Sequence, residues 1–397
     1  MSLAKLYLKK NEEKRIKGGH LWIYSNEVDT QQSPLKQFAS GETVEIVQHS
    51  GKSLGIGYIN PNNLLCARLL SRDPQVTIDK SFFVHRFNIA LSLRQRIYDK
   101  PFYRLVFGEG DELPGLIVDR FGEHLVVQIT TAGMERYVDD ICQALEKVCK
   151  PQSILLRNDS NARDAESLSR ENRQAFGVTP ASVIIEENNT EFAIHPFDGQ
   201  KTGWFYDHRS SRQQINQYVK GKRVLDVFSY IGAFGIQALK HQASELWAVD
   251  ISAKALDELE HNATLNQCDD KLTTIEGDAL TALKQLKQNG EKFDVVIVDP
   301  PAFIKRKKDH KAGLNAYRKI NEAAMRLLER DGILLTASCS MHLKSSELLD
   351  IVRSAGRHLE KRVQIIEQCH QGVDHPIHPA IAETQYIKGY ICRVLSA

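Results

Sequence analysis

The chain contains no run approaching the roughly 18 consecutive apolar residues that a membrane span requires, and Met1-Ser2-Leu3-Ala4-Lys5 lacks the apolar stretch of a signal peptide. Neither anchoring nor export is expected, and the expected compartment is the cytoplasm. Paired C-x-x-C spacing is missing as well: seven cysteines, an odd number, are scattered through 397 residues. That argues against both a disulfide framework and a zinc site, so no metal is expected. A large charge excess is also lacking. The net charge of +2 identifies no polyanionic partner by itself, although local basic clusters stand out at Lys9, Lys10, Lys14, Arg15 and Lys17, and again at Lys305, Arg306, Lys307, Lys308 and Lys311.

What is present reads as three segments. Residues 1–72 carry short strand-like runs separated by glycine turns, such as Thr43-Val44-Glu45-Ile46-Val47 and Leu54-Gly55-Ile56-Gly57-Tyr58-Ile59, the pattern of a small β-barrel. After Asp73-Pro74 the periodicity becomes helical, then a turn-rich stretch around Gly108-Glu109-Gly110 leads into a hairpin over 116–130, a helix over 134–148 and further strands. This predicts an α+β unit over 73–195. From Lys222 strands and helices alternate regularly, with strands over 223–228, 245–250, 272–276, 293–299 and 332–338. The alternation predicts an open parallel sheet covered by helices on both faces, within a domain spanning 196–397.

Side chains at the carboxyl ends of such strands meet ligand rather than core. Four acids fall there in succession: Asp226, Asp250, Asp278 and Asp299. Any one of them could be a helix cap, but four in register are hard to explain by capping alone. The turn Asp226-Val227-Phe228-Ser229-Tyr230-Ile231-Gly232 departs from the G-x-G-x-x-G spacing of dinucleotide enzymes, which argues against NAD. One strand end also carries Ser338-Cys339-Ser340. A lone cysteine is usually apolar filler, yet this one lies on the same rim as Asp299-Pro300-Pro301.

The series of acids resembles that of the class I S-adenosylmethionine (SAM) methyltransferases. More narrowly, Lys201-Thr202-Gly203-Trp204-Phe205-Tyr206-Asp207-His208-Arg209 resembles a signature of the RlmI family, large-subunit (23S) rRNA cytosine-C5 methyltransferases with an N-terminal PUA domain. Glu109-x-Asp111-x-Leu113-Pro114-Gly115, Phe228-Ser229-Tyr230, Asp299-Pro300-Pro301-x-Phe303, Tyr317-x-x-x-Asn321, Ser338-Cys339-Ser340, Asp374-His375-Pro376 and Lys388-Gly389 extend the resemblance over the whole chain. Gly19-His20-Leu21-Trp22-Ile23-Tyr24-Ser25 is similar to the opening of that family's PUA module. The implied architecture is a class I Rossmann-like α/β domain at the C-terminus, preceded by a PUA barrel and a middle α+β domain.

The resemblance also implies a site. SAM would be held by Thr202, Phe205, Tyr206, Asp207, Asp226, Phe228, Ser229, Gly232, Asp250, Ile251, Asp278, Ala279 and Asp299, with Asp250 on the ribose hydroxyls and Asp278-Ala279 on the adenine edge. Cys339, Asp299 and Pro300 would be catalytic. Cytosine C5 is a poor nucleophile, so a thiolate must first add at C6. Asp299 would hold N3 and the exocyclic amine of the flipped base while Pro300 stiffens the loop. The implied partner is RNA, 23S rRNA or a large-subunit assembly intermediate, and a homodimer is left open. Ile231 and Ala233 depart from the family's usual threonine and glycine, Ala302 stands in place of a frequent lysine, and no second cysteine accompanies Pro301. Two rival readings remain: methylation of a base nitrogen, and a non-catalytic RNA-binding assembly factor. Asp374-His375-Pro376 is read either as a segment closing over the target base or as a satisfied structural histidine.

Overall fold

The computed structural model describes residues 3–396. These divide into two compact units, the first made of 1–183, 194–206 and 373–384, the second of 184–193, 207–372 and 385–397.

The first unit holds two sheets. One has five strands in the order Ala4–Tyr7, Glu42–Val47, Ser53–Ile59, Leu65–Ser71 and Trp22–Tyr24, closed around Leu6, Ile23, Val44, Ile46, Ile59 and Leu69. The other is ordered Glu171–Gly177, Ser153–Asn158, His124–Ile129, Leu116–Phe121 and Phe102–Phe107, and carries the helices Lys80–Gln95 and Val138–Cys149. Its core includes Phe83, Phe87, Leu105 and Val127 together with Ile56, Tyr58 and Leu70 from the barrel side. Tyr58 explains how the barrel and middle segments come to share one core. Its hydroxyl donates to the Pro114 carbonyl at 2.8 Å, and Gly133 packs so close to its ring that a Cβ there would lie 2.0 Å from it.

Two details differ from the sequence expectation. The helix predicted over 134–148 is broken into Ala132–Glu135 and Val138–Cys149, because Thr131 caps a separate short turn. The strand Glu171–Gly177 was not expected. It is exposed along nearly its whole length and so shows no apolar alternation, and it exists as an edge partner of Ser153–Asn158.

The second unit is built on seven strands: β1 (Arg223–Val227), β2 (Glu245–Asp250), β3 (Leu272–Glu276), β4 (Phe293–Val298), β5 (Leu328–Ser338), β6 (Lys361–Cys369) and β7 (Lys388–Ser396). Their order across the sheet is 3-2-1-4-5-7-6. β1 to β5 run parallel, as the β/α alternation predicts, and their buried runs (Val-Val-Ile-Val in β4, Leu-Leu-Thr-Ala in β5) are those of strands covered on both faces. The sheet is not parallel throughout, because β7 pairs antiparallel with both β5 and β6. β6 was not predicted, since its Lys361-Arg-Val-Gln-Ile-Ile-Glu-Gln-Cys sequence is largely exposed at the sheet edge. The helix before β5 runs His310–Leu327.

Beside this sheet, Glu187 anchors the entry segment. Fully buried, its carboxylate accepts from Arg212 Nε at 2.5 Å, Arg212 Nη2 at 3.0 Å, Arg209 Nε at 3.1 Å and Gln237 Nε2 at 3.0 Å. Two guanidiniums therefore share this carboxylate away from water. Glu187→Ala is expected to cost about 3–5 kcal/mol in chemical denaturation by removing a buried partner from both, with Glu187→Gln losing less; an unchanged midpoint for the alanine variant would refute this account.

Candidate active site

The carboxyl ends of the parallel strands form one rim. Read across the sheet order, the residues at or next to those ends are Asp278, Asp250, Asp226, Asp299 and Cys339, and Lys388 opens the antiparallel β7 beside them. Adjacent strands lie about 4.8 Å apart, so residues distant in sequence become neighbours.

The turn after β1 is held in an unusual backbone conformation. Phe228 and Tyr230 have φ of 68° and 50°, and Gly232 has 87°. Left-handed conformations are unfavourable for side-chain-bearing residues and concentrate at binding sites. Several bonds fix the turn: Phe228 N and Ser229 N donate to the Val249 carbonyl at 2.9 and 3.1 Å, and Tyr230 N donates to Asp250 Oδ2 at 2.9 Å. Asp226 Oδ2 accepts from Gly235 N at 3.0 Å. At Gly232 a Cβ would come within 2.9 Å of Ile236 and Leu259, so glycine is required by space as well as by φ. Ile231 is buried in the core, and its carbonyl accepts from Asn262 Nδ2 at 3.3 Å.

Asp226 is almost fully buried, and its carboxyl is pushed up to about 7, first by burial and then by the charges of Asp299 and Asp250, against the opposing pull of the Gly235 N–H. Asp250 and Asp226 form no ion pair with Lys or Arg among the described residues. Asp299 faces His208, whose Nε2 lies 3.4 Å from its Oδ1. His208 is 3 % exposed, and its Nδ1 has no hydrogen-bond partner. Pro300 is buried, and beyond it Phe303 packs against Tyr317 and Phe228 with ring centres 4.8 and 6.4 Å apart. Lys305 to Lys308 are all exposed, in keeping with a solvated charge run.

At the end of β5 the two serines flanking Cys339 are buried. Both Ser338 Oγ and Ser340 Oγ bond the Tyr317 hydroxyl, at 2.7 and 2.8 Å, and Ser340 Oγ also accepts from Ile304 N at 3.3 Å. The thiol between them is left on the open side. None of the seven cysteines is in a disulfide, and Cys339 is the one that is not buried. Burial pushes four of the others up to about 11 or 12: Cys66, Cys142, Cys149 and Cys369.

The remaining predicted positions fall in several places. Ile251, directly after Asp250, is 74 % exposed, a large apolar side chain facing outward at the rim. Asp278 caps the helix Ala279–Gln288, its Oδ1 accepting from Thr281 N at 3.0 Å, and Ala279 is the first helical residue. Asp207 is buried and accepts from the Tyr386 hydroxyl at 2.6 Å. Thr202, Phe205 and Tyr206 belong to the first unit. There the Thr202 hydroxyl donates to Asp119 at 2.6 Å, the Tyr206 hydroxyl donates to the Arg120 carbonyl at 2.8 Å, and Lys201 Nζ sits 4.2 Å from the centre of the Phe205 ring. Asp374 and His375 are likewise buried in the first unit, where Asp374 accepts from Arg104 N at 3.0 Å and from His375 Nδ1 at 2.9 Å. Two neighbours of the rim, His208 and Lys388, lay inside quoted motifs but were given no role from sequence, and the placement of Lys388 depends on β7 being antiparallel. Among the described residues no group of His, Cys, Asp and Glu is arranged to hold a metal ion, and no helix is long and apolar enough to cross a membrane.

An open sheet ordered 3-2-1-4-5-7-6, with its acids and its strained turn on the carboxyl rim, defines a class I methyltransferase-type α/β unit. The comparisons agree. Residues 6–72 match the PUA-like domain model and 211–347 the model described as conserved hypothetical protein 95. A crystal structure of a chain assigned as a methyltransferase, in complex with SAH, superposes with a TM-score of 0.84 at 19 % identity, covering 98 % of this chain and 100 % of that one. Ribosomal RNA large subunit methyltransferase I of Aliivibrio fischeri (strain MJ11) is 37 % identical over 98 % of this chain and 99 % of its own length. The protein of the same name from Escherichia coli (strain K12) is 36 % identical over 99 % of this chain and all of its own. The chain belongs to the ribosomal RNA large subunit methyltransferase I family.

The burial pattern makes a direct prediction. A thiol reagent such as DTNB should label one cysteine of the native protein rapidly, and Cys339→Ala should remove that phase; several equally fast thiols would contradict the arrangement.

Proposed function

We propose that the chain transfers a methyl group from SAM to C5 of a cytosine in large-subunit (23S) rRNA, with Cys339 as the nucleophile that activates the base. The observation that carries this reading is the placement of one half-exposed thiol on the ligand rim beside Asp299-Pro300, while the other six thiols are buried. The relatives named as rRNA large subunit methyltransferases support the substrate class.

The residues of the rim fit SAM. Asp226, Asp250 and Asp299 bring negative charge together on the rim, raising the Asp226 carboxyl, and such a site favours a ligand bearing an ammonium and a sulfonium. Asp226 with Phe228, Ser229 and Gly232 would hold the methionine end, Asp250 the ribose hydroxyls, and exposed Ile251 with Asp278-Ala279 the adenine. Thr202, Phe205, Tyr206 and Asp207 enter the cofactor site on the family resemblance alone. When bound, SAM supplies an electrophilic methyl group on sulfur.

The chain's own residues do the rest. Asp299 accepts from the amine of the target base and assists protonation at N3, and Pro300 stiffens the loop. The Cys339 thiolate adds to C6, which sends the C5–C6 π electrons toward C5 and makes that carbon nucleophilic. After methylation the C5 proton leaves to a base or to water and the Sγ–C6 bond breaks, restoring the ring. Methylation of a ring or exocyclic nitrogen would use Asp299-Pro300-Pro301 as well but needs no thiol.

Incubation with labelled SAM and undermethylated rRNA, followed by nucleoside analysis, tests the reading. Native protein should yield 5-methylcytidine, and Cys339→Ala should lose at least about a hundredfold in rate. Full activity in that variant, or methylated adenine or guanine, would overturn the cytosine-C5 assignment; absence of methylation on any RNA would favour a binding-only role.

Asp226 gives a pH prediction. Its folded-state pKa of about 7 lies above the usual 3.8, so between those values the native state binds more protons than the unfolded state. The stability of the ligand-free protein should therefore fall as pH rises from about 4 to about 7 on this group's account. A bound cation favours the ionised carboxylate. SAM affinity measured by calorimetry should accordingly weaken as pH drops from 8 to 6, and Asp226→Asn should flatten that dependence.

A further inference from the structure

Lys388 is 8 % exposed at the first position of β7, directly across the ladder from Ser338 and next to Cys339. Its Nζ donates to the Ser340 carbonyl at 2.7 Å, and among the described residues it has no carboxylate within ion-pair distance. Such a placement is costly, because a buried ammonium needs an anion and a single neutral carbonyl does not replace one. The cost shows in its acidity: burial pushes Lys388 down to about 8, and the one charge opposing that shift is the thiolate of Cys339.

The other titratable groups around it leave this pairing undisturbed. Tyr317, under the Ser338-Cys339-Ser340 turn, is raised by burial, as is Tyr390 two positions along β7. Cys369 on β6, opposite Gly389, is pushed up to about 12. All three stay neutral near neutral pH. Asp207, held by the Tyr386 hydroxyl, and Asp299, facing His208, are the acids at the same end of the sheet, and among the described residues neither forms an ion pair with Lys388.

We infer that Lys388 is the charge partner of Cys339, a positioning residue whose buried ammonium holds the thiol in its anionic, attacking form. This deepens the cytosine-C5 reading and rests on it. The thiol proton passes to solvent and Lys388 remains an ammonium. The Sγ–C6 bond then forms with the thiolate pair as the π electrons shift toward C5, and on elimination that pair returns to sulfur beside the same ammonium. Cations adjacent to a cysteine are an established means of making it a thiolate at neutral pH.

The test is the pH dependence of iodoacetamide alkylation at Cys339 in the full-length protein without RNA, followed by mass spectrometry. Compared with native protein, Lys388→Met should move the half-point of alkylation upward by about one pH unit, about a tenfold loss of thiolate at pH 7. Lys388→Gln keeps a donor for the Ser340 carbonyl but no charge, and should shift it as far; Lys388→Arg should stay near the native value. In the methylation assay the two neutral variants should lose kcat with little change in KM for RNA. An unshifted alkylation half-point in Lys388→Gln, or rescue of kcat by Gln as complete as by Arg, would overturn the inference. Because alkylation needs neither RNA nor SAM, it fails or succeeds independently of the cytosine-C5 reading, which the Cys339→Ala product analysis judges.

Discussion

The burial of Asp226 is the constraint on which the rest of the second unit depends. A carboxylate at the end of an inner strand of a seven-stranded sheet is far from solvent, and two further carboxylates lie close enough to raise it. The chain meets this cost locally by turning sharply, so that the Gly235 N–H reaches the carboxylate. The same turn requires left-handed backbone at Phe228, Tyr230 and Gly232, and Asp250 from the next strand pins it. Strain and negative charge are thus gathered at one place on the rim. A cationic ligand offsets the negative charge, which is the physical basis for reading the rim as a SAM site.

Much of this was legible in the sequence, because β/α alternation has a simple geometric consequence: each strand's carboxyl end emerges on the same edge. Asp226, Asp250, Asp299 and Cys339 could be placed there without coordinates. Asp278 was legible in both of its senses, since an acid before Ala-Leu-Thr reads equally as a cap, and its side chain does cap the helix. The parts that were not legible involve antiparallel pairing and exposed strands. β6 and the edge strand Glu171–Gly177 carry no apolar alternation, having little to bury. Lys388 lies 48 residues from Ser340, and nothing local indicates that β7 inserts between β5 and β6 and brings a lysine to the thiol.

The motifs behind the family resemblance divide by the work they do. In the first unit they act as braces: Glu109 accepts from the Trp22 indole at 2.9 Å, Asp111 holds buried Arg94 through bonds of 2.6 and 2.7 Å, and Asp119 joins Arg104 to the Thr202 hydroxyl. Asp374 closes the same network by accepting from the Arg104 backbone. A single substitution among these buried charges is costly, because it removes a partner from an ion held away from water. In the second unit Tyr317, Ser338 and Ser340 bond one another, but several residues at the rim are left incompletely satisfied. Among the described residues His208 Nδ1 has no hydrogen-bond partner and Lys388 no acid, and Ile251 stands out into solvent. Incomplete satisfaction at a strand-end rim is what separates a binding residue from a brace.

That contrast bears on which atom of the base is methylated. A nitrogen acceptor already has a lone pair, or gains one by losing a proton, so its enzyme needs orientation and a hydrogen-bond acceptor such as Asp299. Carbon 5 of cytosine has neither and must be made electron-rich through a covalent bond elsewhere on the ring. For a nitrogen methyltransferase, a half-exposed thiol beside a buried lysine without an acid would be two unfavourable features with no return. The oxidisable thiol would be a liability and the ammonium an uncompensated desolvation. In a C5 methyltransferase each justifies the other, since the thiolate neutralises the lysine and the lysine stabilises the thiolate. On the proposed reading, the pairing of Cys339 with Lys388, more than the fold or the Asp-Pro-Pro motif, is the feature that would separate carbon from nitrogen chemistry.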